Sequence, residues 1–145
     1  MALADSNVWL ALALSKHEFH PAARAWLAKL PLREALFCRA TQQSFLRLLT
    51  TSAVFSPYGI PPLGNNAAWS AYEGFVADER IAWAEEPPGL EPHWKKLAEG
   101  SKASPKLWMD AYLAAFAIAS RQQLATTDKA FKKFKGLDLL ILTKG

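Results

Sequence analysis

Three aspartates stand where carboxylates can do metal chemistry. Asp5 closes the apolar run Leu3-Ala4, Asp128 follows Leu124-Ala125-Thr126-Thr127, and Asp110 interrupts an alanine-rich stretch. Carboxylates that converge repel one another and raise one another's pKa. A hard divalent cation offsets that repulsion, and oxygen ligands of this kind suit Mg²⁺ or Mn²⁺. Such an ion positions a water, eases its deprotonation and stabilises charge on a phosphate. Each aspartate also has a plainer use. Asp5 and Asp128 can cap helix N-termini. Asp110 is harder to dismiss, because an acid on a mostly apolar helix face is costly without a partner.

The elements that must hold these residues follow from the hydrophobic pattern. Short apolar runs alternate with helix-like stretches, which predicts an α/β chain with a mainly parallel sheet. Strands are predicted over Met1 to Ala4, Ala35 to Cys38, Ile81 to Ala84, Gln123 to Thr126 and Leu139 to Leu142. Helices are predicted over Asn7 to Leu14, His20 to Leu30, Gln42 to Leu49 with Thr41 as N-cap, Asn66 to Ala77, Glu91 to Ala98, and Lys129 to Phe134. Ser104 and Pro105 read as the cap and first position of a helix from Lys106 to about Ser120. The Pro/Gly-rich stretch Ser56 to Asn65 reads as a loop. Asp5 and Asp128 then fall at the carboxyl ends of strands, the edge where open parallel sheets bind ligands. Lys106, Asp110, Leu113 and Ala117 share one helical face, so Asp110 should lie at the rim of the core.

Composition narrows the class. The 145 residues suit one domain over 1–145, and 51% hydrophobic residues argue against disorder. The net charge of +4 is compatible with a polyanion but does not demand one. A single cysteine, Cys38, forms no internal disulfide and lies in the apolar run Ala35-Leu36-Phe37, so it reads as a buried, inert thiol. The start lacks a basic leader, and the longest apolar helix is too short to span a bilayer, so the expectation is a cytoplasmic protein without a membrane anchor. Of the six tryptophans, Trp9, Trp26, Trp69 and Trp108 lie in apolar patterns that suit core or interface packing. Trp108 could alternatively stack a base. His17, His20 and His93 show no zinc-like spacing. Lysines gather in the second half, and Lys132 and Lys133 read as a solvated face.

Four segments carry a family resemblance. They are Leu3-Ala4-Asp5-Ser6-Asn7-Val8-Trp9-Leu10-Ala11-Leu12, Cys38-Arg39-Ala40-Thr41-Gln42-Gln43-Ser44-Phe45-Leu46-Arg47-Leu48-Leu49, Met109-Asp110-Ala111-Tyr112-Leu113-Ala114-Ala115-Phe116-Ala117, and Leu124-Ala125-Thr126-Thr127-Asp128. In this order and spacing the chain resembles the PIN-domain proteins, of the sort found as the VapC toxin of bacterial VapBC toxin–antitoxin modules. The resemblance implies a three-layer α/β/α sandwich around a mainly parallel five-stranded sheet. It implies Mg²⁺- or Mn²⁺-dependent cleavage of RNA, a homodimer and a small inhibitory antitoxin. Asp5, Asp110 and Asp128 would hold the metal, with Asn7, Thr41 and Thr127 lining the same edge. Lys106 and Arg39 would contact RNA phosphates. One position departs from the family: an acid, often Glu, usually begins the second motif's helix, and here Gln42 (or Gln43, one register on) takes its place. A neutral amide ligates weakly and brings no charge, so metal affinity is expected to fall. Glu73, Glu85 and Glu86 are the substitutes within reach, though none is expected at a strand end. The alternative is a catalytically weakened PIN-like module that binds RNA or a protein partner. A phosphatase of the haloacid-dehalogenase kind fits less well, because its second acid, two residues after the first, is Asn7 here.

Overall fold

The computed structural model describes residues 1–144. Five short strands, β1 (Ala2–Ala4), β2 (Ala35–Phe37), β3 (Ile81–Trp83), β4 (Gln123–Thr126) and β5 (Leu139–Ile141), pair in the order β3-β2-β1-β4-β5. Every pairing is parallel, with Ala2 opposite both Ala35 and Gln123. Strand β1 is therefore central, and the chain leaves it first on one side and later on the other. That reversal opens a crevice at the carboxyl edge, where ligands collect in such sheets.

Alternation along the strands builds the layers. Ala2, Ala4, Ala35, Phe37 and Ala125 pack in one core with helices α1 (Ser6–Ala13), α2 (His20–Ala28), α3 (Arg39–Leu49) and α5 (Asn65–Val76). Their neighbours Leu3, Leu36 and Leu124 point the other way, into a second core with α6 (Leu90–Ala98) and α7 (Leu107–Ser120). Successive side chains on a strand face opposite sides, so each short strand serves both cores. The result is the expected α/β/α sandwich. In the first core the Trp9 indole lies flat on Phe37, with centroids 3.8 Å apart and planes 8° apart. Its N–H donates to the Ala4 carbonyl at 3.1 Å, which satisfies the indole and fixes α1 against β1. In the second, buried Ala111, Ala114, Ala115 and Ala117 bring α7 close to the sheet.

The structure corrects three local expectations. Thr41 is not the N-cap of α3; the helix begins at Arg39, and Thr41 occupies its third position. Its hydroxyl accepts from the Cys38 N–H at 3.0 Å and donates to the Cys38 carbonyl at 3.1 Å, so its bonding capacity is used in holding the turn. Ser104 and Pro105 do not begin α7. The Leu107 N–H bonds the Ser104 carbonyl in a preceding turn, and Lys106 occupies the cap. Finally, Ser56 to Asn65 is not all loop: a short helix α4 (Ser52–Phe55) runs into a 3₁₀ turn (Ser56–Tyr58). Buried Phe55 anchors that pair of turns. Four residues are too few to show a helical period in sequence.

Candidate active site

Asp5 leaves β1 and caps α1, the plainer of the two uses open to it in the sequence. One carboxylate oxygen accepts the Ser6 N–H at 2.8 Å, and the other accepts the Thr126 hydroxyl at 2.8 Å. Only 7% of the residue is exposed. Burial raises its pKa to about 6; the Thr126 and Ser6 hydrogen bonds oppose the rise, and the charges of Asp110 and Asp128 add to it.

Thr126, fully buried at the end of β4, is the hub of this edge. Besides donating to Asp5, its oxygen accepts from the Asn7 side-chain amide at 3.3 Å and from the Asp128 N–H at 3.0 Å. Asn7 completes the tie, its carbonyl oxygen accepting the Thr127 N–H at 3.2 Å. Asp128 is exposed and caps the 3₁₀ turn Lys129–Lys133 through the Ala130 N–H at 2.9 Å. Thr126 went unrecognised in the sequence, which pointed to Thr127 instead.

Asp110 sits in the first turn of α7, half-buried. Burial raises its pKa, and the Asp128 charge adds to that, while Lys133 pulls it down. Lys106 and Lys133 line a shared cavity with Asp110. Lys133 is exposed as expected, yet it also reaches this site.

Gln42 takes a different direction. It is 6% exposed, and its amide oxygen accepts the Arg39 guanidinium at 2.6 Å. Arg39 in turn lies over the Trp83 ring, 4.8 Å from its centroid. Thr41, Gln42 and Arg39 thus bond among themselves and their own helix's neighbours, whereas Asp5, Asn7, Thr126, Thr127 and Asp128 form one bonded cluster. Cys38 is buried, and burial pushes its thiol up, as suits an unreactive group. Trp9 and Trp26 are core residues, whereas Trp69 and Trp108 are 48% and 58% exposed. Glu85 and Glu86 correct an expectation, since they lie just past the carboxyl end of β3. The signal was available, because a strand closing near Ala84 puts Glu85 at its end.

The donors suit a hard cation. Three mutually repelling carboxylates, one of them buried with a pKa near 6, gain from a positive charge. Among the described residues, no three His, Cys, Asp or Glu side chains close around a single point. The site is an open carboxylate rim. Mg²⁺ keeps several waters and takes only one or two carboxylates directly, so such a rim fits its habits.

Comparison with known proteins agrees with this architecture. The PIN domain family profile matches residues 2–137. Ribonuclease VapC41 of Mycobacterium tuberculosis (strain H37Rv) is 52% identical over 146 aligned positions, covering 99% of this chain and all of that one (100%). In fold, the chain matches VapBC2 from Rickettsia felis, solved bound to a DNA fragment from its promoter, with a TM-score of 0.66, 14% identity and 98% of each chain covered. It also matches the Sarcin-Ricin loop cleaving toxin VapC20 of Mycobacterium tuberculosis, with a TM-score of 0.65, 16% identity and 95% and 98% covered. Central β1 and the paired cores belong to a fold with its counterpart in a known family, and the chain is a member of it: it is a PIN-domain protein.

Proposed function

We propose that the protein is a metal-dependent endoribonuclease, a single PIN-like unit acting as the toxin of a type II toxin–antitoxin pair. The observation that carries this is the Asp5, Asp110 and Asp128 rim in a chain 52% identical to a ribonuclease. Asp5, Asp110 and Asp128 would hold Mg²⁺ or Mn²⁺. The ion, when bound, supplies positive charge at the scissile phosphate and makes a water more acidic. Thr126 and Asn7 keep Asp5 and the Thr127–Asp128 turn in register. Lys106 and Lys133 draw an RNA phosphate toward Asp110. Hydrolysis leaves a 5′-phosphate and a 3′-hydroxyl. A small antitoxin and a second copy of the chain belong to the same reading, and exposed Trp69 and Val76 on α5 offer apolar surface for such contacts. No helix among the described residues is long and apolar enough to cross a membrane, and the reading expects the protein in the cytoplasm with its RNA.

The direct test is cleavage of total RNA with Mn²⁺ beside Asp110→Asn. Cutting by the wild type alone supports the assignment; cutting that survives the substitution sinks it. A second reading is a weakened module that binds RNA or a protein partner. It is favoured by Gln42, which lacks charge and whose oxygen already bonds Arg39. A folded, partner-free wild type that fails to cut would select it.

A further inference from the structure

Beside the carboxylate rim lies a cleft that the mechanism does not use. Its volume is about 380 Å³, and Trp83, Trp94, Trp108, Tyr112, Glu85 and Glu86 line it together with Arg39. We propose that it binds an unpaired guanine base of the RNA substrate, an inference that rests on the ribonuclease reading above.

The aromatic wall offers ring faces rather than polar edges. The Trp94 N–H donates to the Trp108 carbonyl at 3.0 Å, and the Trp83 N–H to a Glu85 carboxylate oxygen at 3.1 Å. Both indoles are thus satisfied internally and fixed in place. Trp94 meets Trp108 and Tyr112 edge-on, at 6.3 Å and 5.4 Å between centroids. Trp108 itself is 58% exposed, which is costly for an indole with no partner but useful for stacking a base.

The two carboxylates select which base. One oxygen of Glu86 accepts the Tyr112 hydroxyl at 2.7 Å, as one oxygen of Glu85 accepts the Trp83 N–H. Each side chain is held by one oxygen, and the other remains to accept from a ligand. Guanine alone presents two adjacent donors, the ring N1–H and the amino group, on its pairing edge. Adenine and cytosine set a ring acceptor beside their amino group, and uracil flanks its N–H with two carbonyls. Those acceptors would face a carboxylate oxygen and be repelled. Arg39, stacked on Trp83, balances the acidic pair and can meet the phosphate that accompanies the base.

The cleft and the Asp110 cavity share the helix α7. Asp110 lies on α7 between Met109 and Tyr112, so one helix presents its carboxylate to one cavity and its aromatics to the next. Strand β3 stands two places from β1 in the sheet. At about 4.8 Å per strand that is roughly 10 Å. A stacked strand rising about 3.4 Å per nucleotide spans it in a few residues.

The test uses two independent readouts on the full chain. In EDTA, tryptophan fluorescence is followed on titration with GMP, AMP, CMP and UMP. With Mn²⁺, cut positions are mapped on single-stranded RNA. GMP should bind about tenfold more tightly than the other three. Glu85→Gln with Glu86→Gln, which keeps acceptors for Trp83 and Tyr112, should erase that preference, and Trp108→Ala should weaken all four. Wild-type cuts should fall at a fixed distance from a guanine. Cleavage indifferent to guanine, with no GMP preference, overturns the inference and leaves the ribonuclease reading standing. GMP preference without cleavage supports the base site and removes that reading. If the substitutions leave nucleotide binding alone and instead change the protein's mass in solution, the cleft is a protein-contact surface and the inference falls.

Discussion

Thr126 and Asp5, 121 positions apart in the chain, are joined by a 2.8 Å hydrogen bond in which the hydroxyl donates to the carboxylate. The same hydroxyl oxygen accepts from Asn7 and from the Asp128 backbone. One buried oxygen therefore ties the carboxyl ends of the neighbouring strands β1 and β4 together.

Thr126→Val keeps the shape and removes the hydroxyl. It leaves the Asn7 amide and the Asp128 N–H short of an acceptor and takes a donor from buried Asp5. The expected loss is about 1–3 kcal/mol of unfolding free energy, with Thr126→Ser recovering most of it. Urea denaturation measures this; a Val variant as stable as the wild type would show that the hub is dispensable.

Asp5 holds its proton more tightly when folded, with a pKa raised from 3.8 to about 6 by burial. Between those values the folded state binds more protons than the unfolded one. Stability of the metal-free protein should therefore fall as pH rises from about 4 to about 6, by up to roughly 3 kcal/mol. Asp5→Asn should flatten that slope and raise the metal-free melting temperature at neutral pH. Added Mg²⁺ should then stabilise the wild type and not the variant. Melts that run parallel for the two proteins across this window would contradict the assignment.

Gln42→Glu restores a negative charge beside the Arg39 guanidinium. If that position serves the metal, the Mn²⁺ concentration for half-maximal cleavage should drop by about tenfold, an ordinary coupling for one added charge. An unchanged Mn²⁺ dependence would mean that residue 42 supports Arg39 rather than the rim.

Lys106 faces the cavity that holds Asp110. If it meets one RNA phosphate, Lys106→Ala should lower the slope of log affinity against log salt by about 0.7, the increment per contact on a single strand. Affinity should fall evenly across sequences. A weaker complex with the wild-type slope would point to packing instead.

Much of this site is legible along the chain because its carboxylates end apolar runs. Asp5 and Asp128 follow strands that short apolar runs and flanking turns reveal, and Asp110 stands out as an acid on an apolar helix. The layers follow too, since Ala2, Leu3 and Ala4 must face alternate cores. Thr126 is hidden, because its role depends on β1 lying beside β4, and no local pattern in Leu124 to Thr127 announces that neighbour. Thr41 misleads for a different reason. A threonine near a helix start serves equally as cap or as the third residue of a capping box, and only the backbone of Cys38 decides between them. The aromatic cleft is scattered over β3, α6 and α7, which meet through tertiary packing alone.

Central β1 has a consequence for the order of events during synthesis. Asp5 is made well before its hydroxyl partner, the Asn7 tie to Thr127 and Asp128, which all arrive with or just after β4. A nascent chain lacking residues past Gln122 carries only part of the rim, and its Asp5 carboxylate has the Ser6 N–H but not yet the Thr126 hydroxyl to orient it. The rim is completed at one step, so a translating ribosome meets all three carboxylates together only once β4 and Asp128 have emerged.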